Sequence, residues 1–487
     1  MSETSILWLR RDLRLDDHPA LHAALRDGER LVPLYIHAPD EESSWPPGAA
    51  SRWWLHHSLT ALDEALRARG SRLWIASGDS LVELRRVIAA TGARAVHWSR
   101  LYDPSTRERD GRIKQALRAD GLRVESHPGA LLFEPWEIAT GKGEPYRVFT
   151  PFWKSGLGRL ARLAAPIPAP ETLPPSPEHA DTEGASPAIT SLALLPRLPW
   201  DGGLRTTWTP GERGARARAD AFIDSRILTY GQARDLPSHP GTSQLSPHLH
   251  FGEIGPRRLL SQLAERIGDP TAAPAEPFTR ELGWREFAHH LIYHFPHTTD
   301  APLDTRFVDF PWRTEDSERL LTAWQRGRTG IPLVDAGMRE LWHTGWMHNR
   351  VRMVVASFLT KNLRLPWQEG TRWFWDTLVD ADLAANTLGW QWSAGCGADA
   401  APYFRIFNPV LQGERFDPDG AYVRRWCPEL TRLPNRSIHQ PWTAPAALLR
   451  QCGIHLGIDY PTPVVDLKAS REAALAAYES IKRGNGQ

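Results

Sequence analysis

Within the first 130 residues, apolar runs suited to strands alternate with stretches of helical period, and no other feature restricts the possible fold so tightly. The runs fall at Ile6–Leu9, Leu31–Ile36, Leu73–Ala76 and Ala95–Trp98. Between the second and third, Leu55, Leu59, Leu62 and Leu66 recur on one helical face, and Gly70 stands where a helix would end. Gly92 and Gly121 repeat that punctuation. This rhythm predicts an α/β fold, a doubly wound parallel sheet covered by helices.

From about Pro166 to Pro210 the chain is rich in Pro, Ser and Ala and lacks periodicity, which is linker composition. Beyond residue 215 apolar residues keep helical spacing, as in Leu320–Trp324, Met338–Trp342, Val351–Phe358 and Ser470–Lys482. The expected division is an α/β domain over 1–135, an inter-domain linker over 136–212 and an all-α domain over 213–487. A chain of 487 residues can bury a large cofactor in such an arrangement.

No apolar run approaches the ~20 residues of a membrane span. The opening residues lack a secretory pattern, so the cytoplasm is the expected location. Cys396, Cys427 and Cys452 lie far apart and form no CxxC pair, so neither a disulfide framework nor a zinc knuckle is expected, and no metal site. A formal charge of +1 means that a nucleic-acid surface would have to be a local cluster of Lys and Arg. The 22 Trp, many between residues 284 and 392, hint at stacking or redox chemistry.

Several motifs carry weak chemistry. Gly156-Leu-Gly158-Arg-Leu-Ala161 fits a loose dinucleotide fingerprint but follows no strand. His289, His290 and His294 could suggest a metal site, yet no nearby Glu or Cys completes a ligand set, and a packed helical face is the better reading. Asp380-Ala-Asp382-Leu-Ala-Ala-Asn386-Thr-Leu-Gly-Trp390-Gln-Trp392 differs: carboxylates, a carboxamide and two indoles crowd thirteen positions, an odd mixture for a core or a solvated helix.

This segment and its continuation from Asp399 to Pro409 resemble the DNA photolyase/cryptochrome family, and among its members the bacterial class I cyclobutane pyrimidine dimer photolyases. Thr344-Gly-Trp346-Met-His-Asn349-Arg350, Gly241-Thr-Ser-Gln-Leu-Ser246, Glu281-Leu-Gly-Trp284-Arg285 and Trp8-Leu-Arg-Arg-Asp-Leu-Arg14 extend the resemblance over the whole chain. It implies an N-terminal antenna domain, a helical domain that buries FAD, and light-driven repair of pyrimidine dimers in DNA by a monomer. A cryptochrome-like photoreceptor is the alternative, which would carry a regulatory C-terminal tail.

The resemblance assigns the flavin to Tyr230, Thr242, Ser243, Gln244, Leu245, Ser246, Asn349, Arg352, Asp380, Asp382 and Asn386. Asn386 matches the position facing flavin N5, where plant cryptochromes carry Asp, and so tilts the reading toward repair. Trp390, Trp367 and Trp312 match an electron-relay chain. Trp284 and Trp392 match aromatic walls around a flipped-out lesion, and Glu281 matches a carboxyl that hydrogen-bonds it. Met353 and Asn349 fit dimer-specific enzymes, whereas relatives acting on the (6-4) adduct have histidines in this pocket. Arg234, Arg285, Arg350 and Arg405 match positions near the DNA backbone. A second, antenna chromophore of folate or deazaflavin type fits the family, but Thr106 stands where folate-binding relatives have Glu, which leaves the pigment open.

Overall fold

The computed structural model describes residues 3–42, 44–177, 187–400 and 404–483. Linker positions 178–186 and Ala401, Pro402 and Tyr403 of the motif after Trp392 lie outside the described residues. Contacts divide the chain into two compact units that do not follow chain order: residues 1–228, 243–296 and 379–382 form one, the remainder the other.

In the first unit, β1 (Thr4–Leu9), β2 (Arg30–His37), β3 (Trp74–Ser77), β4 (Ala95–Ser99) and β5 (Arg123–His127) form a parallel sheet ordered β3-β2-β1-β4-β5. Helices α1 (Pro19–Asp27), α2 (Ala49–Arg67), α3 (Ser80–Thr91) and α4 (Pro104–Ala119) make the crossovers. The doubly wound expectation is met, with the order reversing between β1 and β4. The apolar runs are buried as a core of Ile6, Trp8, Val32, Leu34, Trp74, Val96 and Trp98. Leu55, Leu59, Leu62 and Leu66 line the buried face of α2, each contributing roughly 1.5–3 kcal/mol of transfer free energy. The fifth strand was not legible: Arg-Val-Glu-Ser-His holds one apolar residue, Val124, which is buried in an otherwise polar edge strand.

The described parts of the Pro-rich stretch are docked. Leu173, Leu192, Leu194 and Leu204 are buried, Leu173 N donates to Arg69 O at 2.8 Å, and Trp53 Nε1 donates to Asp201 at 3.0 Å. Isolated apolar pegs anchor a segment that has no period to betray it. The first unit also holds α5 (Phe149–Leu160) and α6 (Glu276–His294). They pack so closely at Gly283 that a Cβ there would lie 2.5 Å from the Trp153 ring.

The second unit is helical. It includes α7 (Pro332–Thr344), α8 (Asn349–Ser357), α9 (Trp367–Thr377) and α10 (Leu383–Ala394), and it ends with the helix Leu467–Arg483. Helix α8 runs on into a π-helical turn, Phe358–Asn362. Among the described residues no helix is long and apolar enough to cross a membrane.

Candidate functional site

In the first unit, the spacing of Glu281, Trp284 and Arg285 puts them on one face of α6, and all three are half-buried. The Trp284 ring stacks on Phe149 of α5 with centroids 3.7 Å apart and planes within 9°, and Phe149 stacks in turn on Trp153. Parallel rings this close fix the indole plane before any ligand arrives. Arg285 donates to Ala130 O at 2.7 Å and lies 3.6 Å from Glu286, so its guanidinium has internal partners. Glu286 accepts from Leu132 N and Phe133 N, and burial pushes its carboxyl up to about 7.

Asp382 faces two histidines, His250 Nδ1 at 3.4 Å and His289 Nε2 at 3.6 Å. Burial alone would raise its carboxyl, but His289, His250 and Arg285 hold it well below the ordinary carboxylate range. The other histidines of the α6 cluster take backbone partners: His290 Nδ1 and His294 Nε2 each lie 3.1 Å from Pro135 O. The Gly156–Ala161 fingerprint falls in and just after α5, leaving no phosphate loop.

At the Thr242–Ser246 motif, the Ser243 hydroxyl accepts from Leu245 N, and Gln244 has φ +52° and accepts from Arg218. The Trp8–Arg14 motif is a structural lock: Arg10 pairs with Asp110 at 3.0 Å, Arg11 with Asp103 at 2.6 Å, and Arg14 donates to Asp16, Asp17, Gly129 and Gly252 carbonyls. Thr106, buried in α4, donates its hydroxyl to Asp103 O.

In the second unit, Asn349, Arg352 and Met353 share a face of α8. His348 caps this helix, its Nδ1 accepting from Arg350 N, and burial pushes the imidazole down to about 4. Glu340 of α7 accepts from His348 N and from the Tyr422 hydroxyl at 2.6 Å. Arg352 donates to Met347 O at 2.7 Å; Arg350 pairs with Asp235 at 2.7 Å and sits over the Phe416 ring. Tyr230 is buried beneath Arg234, which stacks 5.3 Å from its centroid.

Along α10, Asn386, Thr387 and Trp390 share a buried face. Asn386 Nδ2 donates to Thr371 O at 3.1 Å, using one amide hydrogen and fixing the carboxamide with Oδ1 as an acceptor. Trp390 packs edge-on against Phe374 and Trp324 and fills the space at Gly370, where a Cβ would meet it at 2.0 Å. Trp392, two residues on, points about 200° away and stacks on Phe407. Trp367 is buried and Trp312 is half-exposed beside Phe310. Arg405 is exposed, its carbonyl accepting from Lys361 Nζ.

Sequence reasoning missed Phe149, His250, His289 as an Asp382 partner, and Thr371. Each lies far in the chain from the motif residue it supports, so no local pattern could have linked them.

One unit is built on a doubly wound parallel sheet, and the other is α-helical and carries Asn386, Trp390 and Trp392 on α10. Residues 5–171 match the family model described as DNA photolyase, and residues 278–480 match the FAD binding domain of DNA photolyase. The chain is 47% identical to a deoxyribodipyrimidine photo-lyase of Agrobacterium fabrum, covering 98% of both chains. It is 40% identical to Cryptochrome-1 of Arabidopsis thaliana, covering 98% of this chain and 70% of that one. A crystal structure described as a bacterial class III photolyase from Agrobacterium tumefaciens superposes with a TM-score of 0.93 at 47% identity, covering 99% and 98% of the two chains. The chain belongs to the photolyase/cryptochrome family. That structural relative is described as class III, where class I had been expected.

FAD is the family's cofactor, and the residues fit it. Thr387 Oγ1 and Trp390 Nε1 are buried without protein hydrogen-bond partners among the described residues, as befits a wall that a polar guest completes.

Proposed function

We propose that the protein is a deoxyribodipyrimidine photo-lyase, binding damaged DNA and splitting cyclobutane pyrimidine dimers under blue light. The observation that carries this reading is the Asn386 carboxamide: with one N–H held by Thr371 O, its Oδ1 is a neutral acceptor that suits a reduced flavin. Held there, reduced FAD would supply the light-driven electron transfer that splits the dimer.

Thr242, Ser243, Gln244, Leu245 and Ser246 offer hydroxyls and backbone N–H groups to the cofactor's phosphates. Tyr230, Asn349, Arg352, Asp380, Asp382 and Asn386 hold its remaining parts. His250 and His289 keep Asp382 ionised. Trp390, Trp367 and Trp312 relay electrons inward to restore the reduced state. Trp284 and Trp392 flank the flipped-out dimer, with Glu281 hydrogen-bonded to it and Asn349 and Met353 shaping a pocket for the cyclobutane lesion. Arg234, Arg350 and the exposed Arg405 contact phosphates, and Arg285 steadies the pocket from within.

The division proposed is a domain over 1–135, a linker over 136–212 and a domain over 213–487; the FAD binding domain match at 278–480 falls inside the last, while the DNA photolyase match at 5–171 runs past the first. The free thiols of the three cysteines suit the reducing cytoplasm, and the protein is proposed to act there as a monomer. Any antenna pigment binds without a carboxylate at position 106, where Thr106 is buried and internally bonded.

The photoreceptor reading draws on the identity with Cryptochrome-1, and Asn386 weighs against it. Asn386→Asp is the test: the variant should keep FAD and bind lesion DNA, yet repair far more slowly than the wild type when both are chemically reduced. Equal repair would overturn the role given to Asn386.

A further inference from the structure

On the edge of the parallel sheet, β4 and β5 pair with His97 opposite Glu125 and Ser99 opposite His127. Register partners on parallel strands, and residues two apart on one strand, share a face, so His97, Glu125 and His127 project together. His97 Nδ1 lies 3.1 Å from His127 Nε2, and Glu125 Oε2 lies 3.9 Å from His127 Nε2. Among the described residues this is the one cluster of three or more His, Cys, Asp or Glu whose ligand atoms all lie within 4.8 Å of one another. Two nitrogens bound to one tetrahedral zinc at ~2.0–2.1 Å stand ~3.3 Å apart, close to the spacing here.

One further feature fits a cation. Asp27, at the end of α1, places Oδ2 3.0 Å from the other nitrogen of the fully buried His97, where a carboxylate can orient a ligating imidazole. Arg123 holds the opposite Asp27 oxygen at 3.1 Å, which makes Asp27 an orienting group rather than a ligand. The nearby Arg100 is paired with Glu134 at 2.8 Å, which offsets its repulsion of a cation.

We propose that His97, His127 and Glu125 form a binding site for a zinc-class divalent cation, with Asp27 orienting His97. Two nitrogens and a carboxylate oxygen suit zinc, with the fourth position left to water or a small anion. The ion staples the polar edge strand β5 to β4, and through Asp27 to α1. It is independent of the flavin chemistry.

The test uses tag-free, FAD-containing protein stripped with a chelator and titrated with zinc by calorimetry. The wild type should take up one equivalent. His127→Ala and Glu125→Gln, both at the solvent side of the cluster, should each weaken binding by about tenfold or more, and Asp27→Asn by ~10–100-fold. Circular dichroism and FAD content serve as the folding control. No saturable uptake by the wild type, or unchanged affinity in both His127→Ala and Glu125→Gln, would overturn the site.

Discussion

Trp284→Ala removes an aromatic surface that stacking holds in place, because Trp284 lies flat on Phe149 at 3.7 Å. A base stacked on an aromatic side chain gains ~1–3 kcal/mol, so losing one wall should weaken lesion binding by roughly 5- to 150-fold. The indole also gives up its Phe149 contact, worth ~0.5–1.5 kcal/mol to the fold, which the α5–α6 packing can absorb. Undamaged duplex keeps its bases stacked inside and binds through phosphates, so its affinity should change little. Fluorescence anisotropy with matched duplexes, one carrying a thymine dimer, measures both constants. Trp284→Phe should retain most of the discrimination, since an aromatic face remains. If alanine weakens both duplexes equally, Trp284 is packing and the lesion-wall argument fails.

Trp367→Phe should block photoreduction of oxidised protein, followed by flavin absorbance, while chemically reduced variant repairs at the wild-type rate; loss of both activities would make the residue structural. Arg405→Ala should weaken binding to all duplexes alike and make the slope of log affinity against log salt shallower by ~0.9, one phosphate contact, as read from anisotropy over a salt series. Glu286 has a folded carboxyl raised to about 7, so its contribution to stability is complete below its unfolded value of ~4.3 and is lost as pH rises through 7. Glu286→Gln keeps an acceptor for Leu132 and Phe133 and should therefore abolish a pH-dependent loss of up to about 3 kcal/mol, seen as a flatter denaturant midpoint between about pH 5 and 8.

Where side chains obey a period, the sequence was enough. The Leu55–Leu66 stripe and the four apolar strands follow from spacing along one element. Strand β5 escaped because an edge strand with one buried side chain carries no apolar run. The docked linker escaped because its anchors, Leu173 and Leu204 among them, are aperiodic. The motif residues themselves were found by resemblance, but their supports were not. Phe149 lies 135 residues from Trp284, His250 lies 132 from Asp382, and His97 meets His127 across 30. Such pairs exist only after the chain has folded, and nothing in local composition marks them.

The central claim is that this chain turns light into dimer repair. Protein carrying reduced FAD, mixed anaerobically with an oligonucleotide containing one thymine dimer, should under blue light restore the base absorbance lost on dimerisation over many turnovers, with no change in the dark. Reduced, flavin-loaded protein that binds the lesion but leaves that absorbance unchanged in the light would contradict the account.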